Sequence, residues 1–185
     1  IYGIAPLLED ELTQDFRFGL VVIGHKREPG VDHINGTMRL VTDMVPRELF
    51  LDHLYEAKRI AEGSTSGQEP SYDAITWVVR NDFNLSFRED ANKVIVVMTD
   101  EGGQSFTDPT TDETETGLLV ENSPFIVHVY SERQYMWTFD AITRVQSSFH
   151  ALEDHPDTEE VFQSLRRIFL NICIGEETPE EGSPP

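Results

Sequence analysis

Five apolar residues run without interruption from Val94 to Met98, inside the stretch KVIVVMTDEGGQSF (93–106). A β-branched run of this kind predicts a strand buried on both faces, as in a parallel α/β sheet. FRFGLVVIGH (16–25) carries a second such run from Leu20 to Ile23, and Thr37–Val45, Phe125–Tyr130 and Ser148–Leu152 predict three more strands. Helical spacing takes over elsewhere. Ile4, Leu7, Leu8 and Leu12 share one face of residues 1–15. Pro46 suits the first position of a helix running to Ile60, with Leu49, Phe50, His53, Leu54 and Ala57 as its inward stripe. Ser71–Asn81 predicts a helix with Tyr72, Ile75, Val78 and Val79 on one face and Ser71 as its cap. Shorter helices are predicted over Thr116–Asn122 and Trp137–Val145. A strongly amphipathic one is predicted over Asp157–Cys173, with Val161, Leu165, Ile168, Phe169 and Ile172 facing inward.

Strands therefore alternate with helices, except for the adjacent pair 16–25 and 37–45, which fits a hairpin. The fold class this implies is α/β: a doubly wound, mostly parallel sheet with helices on both faces and one antiparallel edge strand. Residues 1–174 form one domain on this reading, and the acidic, Pro-containing stretch 175–185 is a disordered tail or linker.

In open α/β sheets ligands sit beyond the carboxyl ends of the strands. Asp100 falls at that end of the 94–98 run, followed by Glu101 and by Gly102 and Gly103, which let the chain turn sharply. Two readings stand side by side: a site for a hard cation or a phosphate, and an ordinary strand end with a solvated acid. Charge narrows the choice of partner. The 185 residues hold 34 Asp plus Glu against 14 Lys plus Arg, a net of −20. Such a chain is repelled by phosphate backbones, so nucleic acid is excluded as an expected partner and cations are favoured. No stretch approaches the ~18 apolar residues that a membrane-spanning helix needs, so no membrane insertion is expected. The lone Cys173 excludes an internal disulfide framework. The six histidines show no zinc-ligand spacing and no G-x-S-x-G occurs, so neither a zinc site nor a hydrolase elbow is expected.

The order of elements, together with FRFGLVVIGH (16–25), KVIVVMTDEGG (93–103) and SSFHALEDHPDTEEVFQSLRRIFLNIC (147–173), resembles a von Willebrand factor A (vWA) domain over nearly all of residues 1–174. The resemblance implies a metal-ion-dependent adhesion site (MIDAS) built from three loops. It binds Mg²⁺, or Mn²⁺ or Ca²⁺, through oxygen ligands and keeps one position for a carboxylate on a protein partner. GSTSGQEPSYDAI (63–75) is similar to the integrin-β-like and bacterial second loop, with its Glu four residues before Asp-Ala-Ile. That implies metal ligation by Glu69, with Ser64, Thr65 and Ser66 as alternatives in a different register. Asp100 matches the third loop, and Glu101, Gly102, Gly103 and Gln104 fall where the partner would touch.

The first loop, Asp-x-Ser-x-Ser, occurs nowhere in the sequence. The resemblance places it, with the first and central strand of the sheet, about 20 residues upstream of Ile1, so residues 1–185 read as an N-terminally truncated domain expected to bind metal weakly or not at all. The function implied is cell adhesion or protein–protein interaction without chemistry, at an extracellular or cell-surface location. Two alternatives remain open. VIVVMTDE (94–101) resembles the Walker B strand of a P-loop NTPase, although Thr99 intervenes before the acids and no G-x-x-x-x-G-K-[ST] is present. The other is a degenerate, metal-free A-type scaffold.

Overall fold

The computed structural model describes residues 16–23, 38–60, 68–106, 111–144 and 147–152. The helices expected over 1–15 and 157–173, and the tail at 175–185, lie outside the described residues. Within them the protein is mixed α/β. Strands β4 (Lys93–Met98), β6 (Phe125–Glu132) and β7 (Ser148–Leu152) form a parallel sheet in the order β4–β6–β7. Strands β1 (Phe18–Ile23) and β2 (Met38–Val45) form a separate antiparallel pair. A two-residue parallel bridge joins β3 (Gln68–Glu69) to β5 (Gly102–Gly103).

The parallel sheet follows from its sequence. Val97, Val127 and Val129 alternate onto one face and are almost fully buried. Tyr72, Ile75, Val120, Phe139 and Ile142 close over them in one core cluster. The hairpin is held by a second cluster, in which Met38, Phe83 and Leu85 are buried against Val21, Ile23, Leu40, Ala74, Trp77 and Val78. Helix α2 (Ser71–Arg80) serves both. Tyr72, Ile75 and Val79 meet the parallel sheet, whereas Ala74, Trp77 and Val78 meet the hairpin cluster. The single inward face expected for this helix is therefore two faces, because it packs against two sheets that are not hydrogen-bonded to each other.

Helix ends differ from the expectation for local reasons. Ser71 is not the cap of α2; Pro70 occupies that position and the Ser71 side chain is fully buried one residue inside. The helix ends at Asn81, in the left-handed region at φ 59°, where its side chain accepts from the Leu85 N–H at 2.7 Å and steers the turn. Helix α1 (Arg47–Ile60) starts after Pro46, and Phe50 stacks on Phe18 at 4.8 Å. Leu49, one position round the helix, is 52% exposed and leaves the expected stripe. Helix α3 (Glu113–Glu121) starts three residues before the expected Thr116, because Asp112 accepts from the Glu115 N–H at 2.9 Å.

The helix expected over 137–145 is instead a 3₁₀ helix, Arg133–Phe139, followed by turns. The hydroxyls of Thr138 and Thr143 donate to the carbonyls of Tyr135 and Phe139, which competes with regular helical pairing. Among the described residues, no helix is long and apolar enough to cross a membrane.

Candidate functional site

The bridge between β3 and β5 brings the two candidate loops together. Gln68 pairs with Gly102 and Glu69 with Gly103, and the register continues as the Gln104 N–H donates to the Glu69 carbonyl at 3.1 Å. The Tyr72 N–H then donates to the Gln104 carbonyl at 3.2 Å, which ties the first turn of α2 to the same strand. The loop after β4 is thereby zipped to the segment before α2, at the carboxyl end of an edge strand of the parallel sheet.

At this junction Thr99 donates from Oγ1 to Oε2 of Glu69 at 2.7 Å, and both residues are buried. Thr99 Oγ1 also accepts from the Glu101 N–H at 3.1 Å, while its own N–H donates to the Tyr130 carbonyl. The hydroxyl therefore fixes the turn and orients Glu69 at once. Burial pushes the Glu69 carboxyl up to about 7; the Thr99 hydrogen bond opposes that shift, and the negative charges of Glu101 and Asp100 add to it. Asp100 is solvent-exposed and Glu101 is partly buried.

The donor set is one of hard oxygen: the Glu69 and Asp100 carboxyls beside the Thr99 hydroxyl. A carboxyl raised chiefly by burial, with neighbouring acids adding to the shift, is what a divalent cation would relieve, so these residues fit Mg²⁺ or Mn²⁺. Ser64, Thr65 and Ser66 lie outside the described residues. Among the described residues, no three His, Cys, Asp or Glu side chains are grouped so as to hold a metal ion between them.

Gly102 and Gly103 are buried in the bridge, and Gln104 is partly buried. The Gly103 N–H donates to Thr138 Oγ1 at 3.1 Å, so the glycines serve close packing against the 3₁₀ helix. Sequence reasoning did not single out Asp73, which is 1% exposed. Its two carboxyl oxygens accept from Ser105 Oγ and from the Phe106 N–H, each at 2.6 Å. The signal available was the Asp-Ala-Ile triplet, used only to align Glu69. Asp73→Ala orphans the Phe106 N–H and should cost about 1.5 kcal/mol in urea denaturation, whereas Asp73→Asn, which keeps one acceptor, should cost less than half of that.

No protein-family model matches the chain, and no curated protein matches it.

Proposed function

We propose that this chain is a vWA-type interaction module that recognises an acidic group on a protein partner through a divalent cation, with no chemistry of its own. The observation that carries this reading is the β3–β5 bridge, which sets the buried Glu69 against Thr99 and next to Asp100 beyond the end of β4. Glu69 and Asp100 would hold the cation, which would supply a coordination position for the partner's carboxylate. The Thr99 contact favours this over a Walker B strand, because the residue between the apolar run and the acids is part of the site.

The division of the strands supports the finer fold proposal. The β1–β2 pair and the β4–β6–β7 sheet share helix α2 without pairing to each other. In the doubly wound vWA arrangement one further strand, the one that leads into Asp-x-Ser-x-Ser, would join them.

Calorimetric titration tests the proposal. Residues 1–185, which carry no Asp-x-Ser-x-Ser, should bind Mg²⁺ more weakly than micromolar, and Asp100→Ala should weaken that binding further. Micromolar or tighter affinity would overturn the expectation of weak binding without Asp-x-Ser-x-Ser, and affinity unchanged by Asp100→Ala would overturn the assignment of the site. Partner binding that survives EDTA would favour the metal-free scaffold.

A further inference from the structure

Among the described residues six large apolar side chains are exposed: Leu49, Met98, Phe106, Leu118, Met136 and Trp137. Four of these six stand on two segments that touch, the stretch from the end of β4 to Phe106 and the 3₁₀ helix Arg133–Phe139. Met98 closes β4 just before Thr99 and Asp100, and Phe106 follows the loop that leaves β5.

The 3₁₀ helix is seated on this stretch by one side. In such a helix residues three apart fall on the same side. Tyr135 and Thr138 take the inner one. The Gly103 N–H donates to Thr138 Oγ1 at 3.1 Å, and a methyl group at Gly102 would lie 3.3 Å from the Tyr135 ring. The Thr138 carbonyl also accepts from the Tyr72 hydroxyl, which holds the helix to α2. Met136 and Trp137, between the two seated residues, are turned outward and are 50% and 73% exposed. Both segments follow the carboxyl ends of neighbouring parallel strands, since β4 and β6 pair from Lys93 and Phe125 to Met98 and Tyr130. The exposed residues therefore share the end of the sheet that carries Asp100.

Single exposed apolar residues are ordinary, but this grouping has a particular composition. Trp, Phe, Met and Arg are the residues in which protein interfaces are enriched, and Trp and Arg dominate their binding energy. Arg133 opens the 3₁₀ helix, is exposed and pairs with no acid among the described residues. In a chain with a net charge of −20, a cation left without an acid is complementary to a negative group brought by a partner. A second copy of the chain, itself at −20, would be repelled.

We propose that the outer side of the 3₁₀ helix, with Met98 and Phe106, is the apolar half of the partner-binding surface, and that it takes a bulky aliphatic or aromatic side chain standing next to the partner's carboxylate. This rests on the reading of Glu69 and Asp100 as the cation site. The cation selects the acid, Trp137 and its neighbours select the residue beside it, and Arg133 meets a second negative group.

Short fluorescein-labelled peptides test this, made of glycine save a central Asp and one adjacent position filled by Phe, Leu or Ser. By fluorescence anisotropy in Mn²⁺, the Phe and Leu peptides should bind residues 1–185 at least about tenfold more tightly than the Ser peptide. Trp137→Ser should remove that preference and leave the urea midpoint unchanged, because the side chain is exposed. Asp100→Ala should weaken all three peptides alike. Equal affinity for Phe, Leu and Ser, or a preference that survives Trp137→Ser, would overturn the proposal and leave the cation reading intact. Binding lost in Trp137→Ser but indifferent to Mn²⁺ and to Asp100→Ala would overturn the cation reading, and with it the acidic half of this surface. Absence of binding by every peptide would overturn both. A dimer in sedimentation that Trp137→Ser dissolves would assign the face to a second copy and overturn the proposal.

Discussion

Glu69→Gln should make the cation-free protein more stable at pH 8, by about 2 kcal/mol after allowing for the part of the shift that solvent screens. The buried carboxyl, raised from its ordinary value of 4.5 to about 7, is protonated in both folded and unfolded states below 4.5 and costs nothing there. Between those values the folded protein holds a proton that the unfolded chain gives up, so stability falls as pH rises, and above about 7 the full cost of burying the charge is present. Glutamine removes that cost and can still accept from Thr99 Oγ1. The variant and the unaltered protein should therefore denature at the same urea concentration at pH 4 and diverge at pH 8. Added Mg²⁺ should narrow the difference by stabilising only the protein that retains Glu69. Equal stability at both pH values would show that Glu69 carries no buried-charge cost and would remove the physical motive for a cation beside it.

Gly103→Ala should lose roughly 3 kcal/mol, at the upper end of the usual cost of overpacking. A methyl group at Gly103 would lie 2.5 Å from Cε1 of Tyr72 and 2.9 Å from Cε1 of Phe139. Neither ring can step aside, because Tyr72 and Phe139 pack edge to face with each other inside the main core cluster. The methyl would instead lever β5 away from β3, and with it the backbone pairing that sets Glu69 against Thr99. Gly102→Ala is the control. Its nearest atom is 3.3 Å away, on Tyr135, so its cost should stay below about 1 kcal/mol. Urea midpoints that fell equally in the two variants would refute this account of the bridge.

The parallel strands were legible in the sequence because their β-branched residues form uninterrupted runs such as Val94–Val97, but the burial on both faces expected from such a run is not met: in β4 only Val97 is buried and Met98 is exposed. The hairpin was legible from adjacency, since 16–25 and 37–45 have no helix between them. The two-residue bridge was not legible, because Gln68–Glu69 and Gly102–Gly103 carry no strand pattern and pair only through their backbones. The helix expected over 137–145 fell on the end of the 3₁₀ segment and the turns after it, because the buried Phe139 and Ile142 sit at a spacing that helices and successive turns share. At the site, Asp100 was legible from its place at the carboxyl end of the 94–98 run, whereas Glu69 was reached only through the resemblance of its loop. Thr99, their physical link, was seen only as a spacer.

The central claim is that the Glu69–Asp100 junction is where this protein holds a divalent cation. Mn²⁺ titrated at substoichiometric levels into the isotopically labelled chain tests it most directly, because paramagnetic broadening reports weak occupancy residue by residue. The amides of Gln68, Glu69 and Thr99–Gln104 should broaden first, and Asp100→Ala should abolish this selectivity. Broadening that begins at the acidic start of α3, around Asp112 to Glu115, and is unchanged by Asp100→Ala would contradict it.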